Sequence, residues 1–168
     1  YELEPGPGIK INRIVALADD LSLGLKAMSV RVVAPIPGKA AVGVEIPNQR
    51  RATVYLRDVL ASKEFAAESL QIPLALGQES GGAPMVTDLT QMPHLLIAGE
   101  TGSGKSVCVN SLILSLVYRA QPKDVRLLLI DPKRVELSVY NGIPHLVDKV
   151  VVDPKDAARR LQRVVQHM

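Results

Sequence analysis

One cysteine, Cys108, is all this sequence has, so an intramolecular disulfide is excluded and a reducing compartment suits it. Tryptophan is absent and aromatics reach only 3%. No apolar run approaches the roughly 18 residues that a membrane-crossing helix needs, and no signal-peptide pattern opens the chain. The chain begins at Tyr1 and is read as a segment of a longer protein, which leaves an anchor elsewhere open. Nor are there repeats, and no Lys/Arg run exceeds two. The net charge of +3 therefore fits a polyanionic partner and a mildly basic solvated surface equally well. His94, His145 and His167 lack metal-ligand spacing. What is present, 168 residues at 47% hydrophobic and 22% charged, suits a soluble α/β protein of one ordinary domain or two small ones.

The first half reads as a strand tail and a turn through "EPGPG". A helix follows with apolar residues at Ile14, Val15, Ala18, Leu21 and Leu25, with Asn12 as its N-cap. Two β-branched runs around "PIPGK" predict a hairpin, and Val54–Leu60 a short helix. The style changes near residue 72. "IPLALGQESGGAPMVTDL" predicts two strands around a glycine-rich turn. Then "HLLIAG", "RLLLID" and "KVVVD" alternate with helices, the pattern of a parallel sheet covered on both faces. A last helix starts at Pro154 with Asp153 as cap and a stripe of Leu161, Val164, Val165 and Met168.

Chemistry concentrates at "GETGSGKS": Gly99, Glu100, Thr101, Gly102, Ser103, Gly104, Lys105 and Ser106. Gly99, four residues, Gly104, Lys105 and Ser106 match the Walker A pattern, which a random chain of this length contains roughly once in a hundred or more trials. It follows the apolar run "HLLIA" and opens an apolar helix, the context that a phosphate loop requires. Glycines let successive N–H groups turn toward a phosphate, and the helix N-terminus adds its dipole. Lys105 is expected on the β- and γ-phosphates of ATP as the catalytic lysine, and the Ser106 hydroxyl on the Mg²⁺ carried by the nucleotide. The following helix is apolar nearly all round, interrupted by Ser111 and Ser115, and is expected to be buried, with Cys108 a small buried side chain.

"RLLLID" ends in Asp131, a position that resembles the magnesium-holding aspartate of many ATPases. Three features oppose that role. "DPK" occurs at 131–133 and again at 153–155, so both aspartates read as helix caps followed by proline. Neither is followed directly by a carboxylate. In RecA-like ATPases the magnesium-binding strand comes one β-α unit later, so the catalytic carboxylates are expected outside this sequence. Lys133, Arg134 and Glu136 form a charged group just past a strand's C-terminal end, where α/β proteins place ligands. A solvated turn and a contact with nucleotide or a neighbouring subunit both fit them.

"MPHLLIAGETGSGKSVCVNSLILSL" with "DVRLLLIDPKRVELSVYNGIPHL" resembles the motor of the FtsK/SpoIIIE DNA translocases. "VRVVAPIPGKAAVGVEIPN" with "RATVYLRDVL" is similar to the alpha domain that precedes that motor. The resemblance implies residues 1–72 as a partial alpha-like domain and 73–168 as the N-terminal part of a RecA-like P-loop ATPase. The expected fold is thus α/β: a small α+β domain, then an incomplete RecA-like core with a mostly parallel sheet. It also implies a DNA-dependent ATPase, using ATP and Mg²⁺, that assembles as a hexameric ring around double-stranded DNA and pumps it during chromosome segregation and cell division. The motor would be a cytoplasmic segment of a protein anchored in the bacterial inner membrane. Glu100 departs from the family, which more often has a small residue there. Two alternatives stay open: an ATPase of related sequence that exports protein, and a nucleotide-binding, ring-assembling module without turnover.

Overall fold

The computed structural model describes every residue except Arg51, Pro93, Val135 and Met168, and leaves the side chain of His167 undescribed. Contacts divide the chain into two units, Tyr1–Thr53 and Val54–Met168. Residues 54–72, assigned to the first domain from the change in sequence style, thus join the second unit. Their apolar side chains explain why: Val59 and Phe65 form one buried cluster with Ala75, against which Leu56, Leu60 and Val86 pack.

The first unit contains β1 (Glu2–Leu3), α1 (Ile11–Val15), α2 (Ala18–Gly24), β2 (Arg31–Val33) and β3 (Val42–Glu45). Its antiparallel sheet has the order β1-β3-β2, with Val32 opposite Val44. The predicted hairpin is therefore present. Ala41, Val42 and Val44 are buried, as a central strand flanked on both edges requires. The predicted helix breaks into two at Ala16–Leu17. Lys10, not Asn12, occupies the cap position of α1, and no side chain caps it.

In the second unit, α3 (Leu56–Leu60) precedes the antiparallel hairpin of β4 (Pro73–Gln78) and β5 (Pro84–Asp88). A 3-10 turn, Leu89–Gln91, leads toward the loop, and α4 (Lys105–Arg119) follows it. After a second 3-10 turn, Ser138–Tyr140, the chain ends in α5 (Pro154–His167). Asp88 is buried and closes the hairpin: its carboxylate accepts the N–H groups of Gln71, Ile72 and Thr90 at 2.7, 3.2 and 2.9 Å and the Thr90 hydroxyl at 2.7 Å. Desolvation pushes its pKa up, but these hydrogen bonds together outweigh it and bring the group from 3.8 down to about 2.

The mixed α/β composition is as predicted, but a continuous RecA-like parallel sheet is not formed among the described residues. Residues 94–98 are no strand, with Leu96 90% exposed. The run 126–131 makes only isolated parallel bridges, Leu127 with Leu146 and Ile130 with Val151 of the run 149–153. A parallel strand is stable when both its edges and both its faces are covered, and among the described residues the run before the loop pairs with no strand.

The helix α4 is likewise less buried than its composition predicts. Ile113, Ser115 and Leu116 are buried, whereas Val107 and Tyr118 are about 70% exposed, at 70% and 71%. Its docking point is polar: the fully buried Ser115 hydroxyl accepts the Ala75 N–H at 3.1 Å and donates to the Ser111 carbonyl at 2.7 Å. A bulge between Ala75 and Gly77 interrupts the β4–β5 ladder at that point, and Ser115 supplies an acceptor for the Ala75 amide. At the other end of the unit, Asp153 caps α5 as predicted, accepting the Asp156 N–H at 3.0 Å. Leu161, Val164 and Val165 of the predicted stripe are exposed, and Met168 lies outside the described residues.

Candidate functional site

The loop between residue 98 and α4 is shaped by two glycines for different reasons. A Cβ at Gly99 would lie 2.5 Å from Ser103 Oγ and 3.3 Å from its Cβ, so a larger residue there requires the Ser103 side chain to turn away. Gly104 sits at the N-cap of α4 with φ 96°, a left-handed conformation that strains other residues. The Ser103 N–H donates to the Glu100 carbonyl at 3.1 Å, and Glu100, Thr101, Gly102 and Ser103 are all exposed in the turn. Lys105 arches back over it, its Nζ donating to the carbonyls of Gly99 and Glu100 at 2.8 and 2.6 Å. An ammonium, a helix N-terminus and a hydroxyl thus converge at one end of a 15-residue helix, and that donor set fits a polyphosphate with its metal. Among the described residues no cluster of three or more His, Cys, Asp or Glu could itself hold a metal.

The helix carries the loop between two supports. One face holds Cys108, Ser111 and Ser115 on the side of β4, with Gly104, Val107 and Cys108 lining an open groove of about 410 Å³ that also includes Leu76. Cys108 is half-buried there. The other face carries Ser106 and Asn110. The Ser106 hydroxyl donates to Glu136 Oε1. Asn110 donates from Nδ2 to the Ser106 carbonyl at 2.8 Å and accepts the Tyr140 hydroxyl on Oδ1. Tyr140 is buried, and that desolvation pushes its phenol pKa up, keeping the proton that the bond to Asn110 uses.

Asp131 is buried, and its carboxylate accepts the backbone N–H groups of Lys133, Glu136 and Leu137 at 3.2, 2.9 and 3.1 Å. This is the local capping role that the following proline suggests. It folds the chain tightly enough that Arg134 adopts φ 58°, a conformation costing roughly 1–2 kcal/mol in a non-glycine residue. Of the charged group past the strand end, Glu136 therefore turns back onto the loop, while Lys133 and Arg134 stay exposed. Asn110 and Tyr140 were not singled out from sequence. Their only signal was spacing, since Asn110 lies one helical turn after Ser106.

His94 is exposed, whereas His145 is buried with Nε2 2.8 Å from the Ala120 carbonyl. No helix among the described residues is long and apolar enough to cross a membrane.

Two family models match the chain: the FtsK/SpoIIIE family over residues 55–168 and the FtsK alpha domain over residues 1–48. Curated relatives named "DNA translocase FtsK" align over all 168 residues. They include those of Caldanaerobacter subterraneus subsp. tengcongensis at 56% identity, Clostridium acetobutylicum at 55% and Agrobacterium fabrum at 52%. The chain spans 24%, 22% and 19% of their respective lengths.

Proposed function

From the premise that this chain belongs to the FtsK/SpoIIIE family, we propose that it forms part of a motor that hydrolyses ATP to move double-stranded DNA. The name that the relatives carry supports the DNA, and the loop at 99–106 supports the ATP. One observation carries the reading: Lys105 is poised over a glycine-shaped turn at the start of α4. In this reading the backbone of residues 99–104 cradles the phosphates. Lys105 exchanges its two carbonyl partners for β- and γ-phosphate oxygens, and Ser106 offers its hydroxyl to magnesium. Magnesium bound with the nucleotide offsets charge on the phosphate oxygens. Phosphoryl transfer to water depends mainly on positioning and charge neutralisation, which is what a rigidly held lysine contributes. Asp131 keeps a structural role, because its carboxylate is engaged by the backbone of the turn it caps.

The intact motor, in this proposal, is a hexameric ring around duplex DNA that serves chromosome segregation at cell division, with a membrane anchor elsewhere in the protein. A motor that runs on any sequence contacts phosphates more than bases, so its DNA affinity falls with salt. The test is ATP hydrolysis by the intact protein with and without double-stranded DNA, at low and moderate salt. Acceleration by duplex that weakens as salt rises is the expected result. Hydrolysis indifferent to DNA but raised by an exported polypeptide would overturn it in favour of a secretion ATPase.

A further inference from the structure

We propose that Glu136 makes the phosphate loop discriminate between magnesium-loaded and metal-free nucleotide. The inference rests on the nucleotide reading of residues 99–106 and adds a residue to it. Glu136 is exposed, yet it is not loosely placed. On one side, the Asp131 carboxylate holds its backbone N–H at 2.9 Å and that of Leu137 at 3.1 Å. On the other, buried Tyr140 is tied to Asn110, which in turn holds the Ser106 carbonyl. Anchors before and after it thus deliver the carboxylate to the same residue whose hydroxyl it accepts.

The consequence is electrostatic. A metal-free polyphosphate drawn to Ser106 meets a fixed negative charge there, and like charges at such range repel. A magnesium ion on the phosphates reverses the sign. The carboxylate releases the serine hydroxyl to the ion and accepts hydrogen bonds from the waters that magnesium keeps. Glu136 therefore penalises free nucleotide and tolerates or favours the metal complex.

The experiment is equilibrium binding of ADP to the intact protein at constant ionic strength, in excess magnesium and in excess EDTA, for wild type, Glu136→Gln and Glu136→Ala. Glutamine keeps the shape and can still accept the Ser106 hydroxyl, so it removes charge while retaining the turn. Both variants are expected to bind metal-free ADP more tightly, shrinking the ratio of metal-free to magnesium-loaded dissociation constants by about tenfold. An unchanged ratio in both, with binding intact, overturns the role of Glu136 and leaves the nucleotide reading standing. If wild type binds ADP in neither condition, the nucleotide reading falls and this proposal with it.

Discussion

The Ser106 hydroxyl donates to the carboxylate of Glu136, thirty residues further along the chain. The contact joins the start of α4, next to the glycine-rich loop at 99–104, to the turn after the next apolar run, and Asp131 is the residue that shapes that turn. A carboxylate that resembles a metal ligand in the sequence is thus used one step away, in positioning another carboxylate.

Replacing Asp131 by Asn tests that division of labour. The amide can accept on one atom only, and its NH₂ meets a backbone N–H instead, so stability should fall by roughly 1–3 kcal/mol. Chemical denaturation checks this. In magnesium titrations at saturating ADP, the metal dependence should move far less than with Ser106→Ala. A selective loss of magnesium binding without destabilisation would assign Asp131 to the metal.

Ser115→Ala removes the side-chain acceptor of the Ala75 N–H in a buried position. Left unsatisfied, that amide should cost about 1–3 kcal/mol, whereas Ser111→Ala, whose hydroxyl donates within its own helix, should cost under about 1 kcal/mol. Thermal or urea unfolding of the two variants provides the comparison.

Asp88 gives the fold an acid limit. Its folded pKa of about 2 lies below the ordinary 3.8, so its contribution is fully present above pH 4 and is lost as pH falls toward 2. Asp88→Asn should therefore narrow its stability deficit against wild type across that window. Urea midpoints at pH 6, 4 and 3 measure it, and a deficit constant over that range would contradict the assignment.

Features set by neighbouring residues were legible in the sequence. The turn "PIPGK" announced the β2–β3 hairpin, the glycines of "GQESGGAP" the β4–β5 turn, and Asp153 with Pro154 the start of α5. Features that depend on distant partners were not. "HLLIA" and "RLLLID" have strand composition, but pairing is a non-local property, and only the second finds a parallel partner, in isolated bridges. The grouping of residues 54–72 with the second unit is of the same kind, because Phe65 meets Ala75 only once the chain folds. In the candidate site, the pattern from Gly99 to Ser106 is legible in the sequence, whereas the charged group Lys133, Arg134 and Glu136 fits a solvated turn and a ligand contact alike. Which of its three members would reach the loop depended on the left-handed turn at Arg134, and no spacing rule encodes that.

The most direct test of the account is equilibrium binding of ATP in magnesium to the intact protein, wild type against Lys105→Ala. Removing the ammonium is expected to weaken binding by about tenfold or more and to take DNA-stimulated hydrolysis down by at least about a hundredfold. A Lys105→Ala protein that binds ATP as tightly as wild type and still turns it over would contradict the phosphate site at α4, and with it the motor reading built on that site.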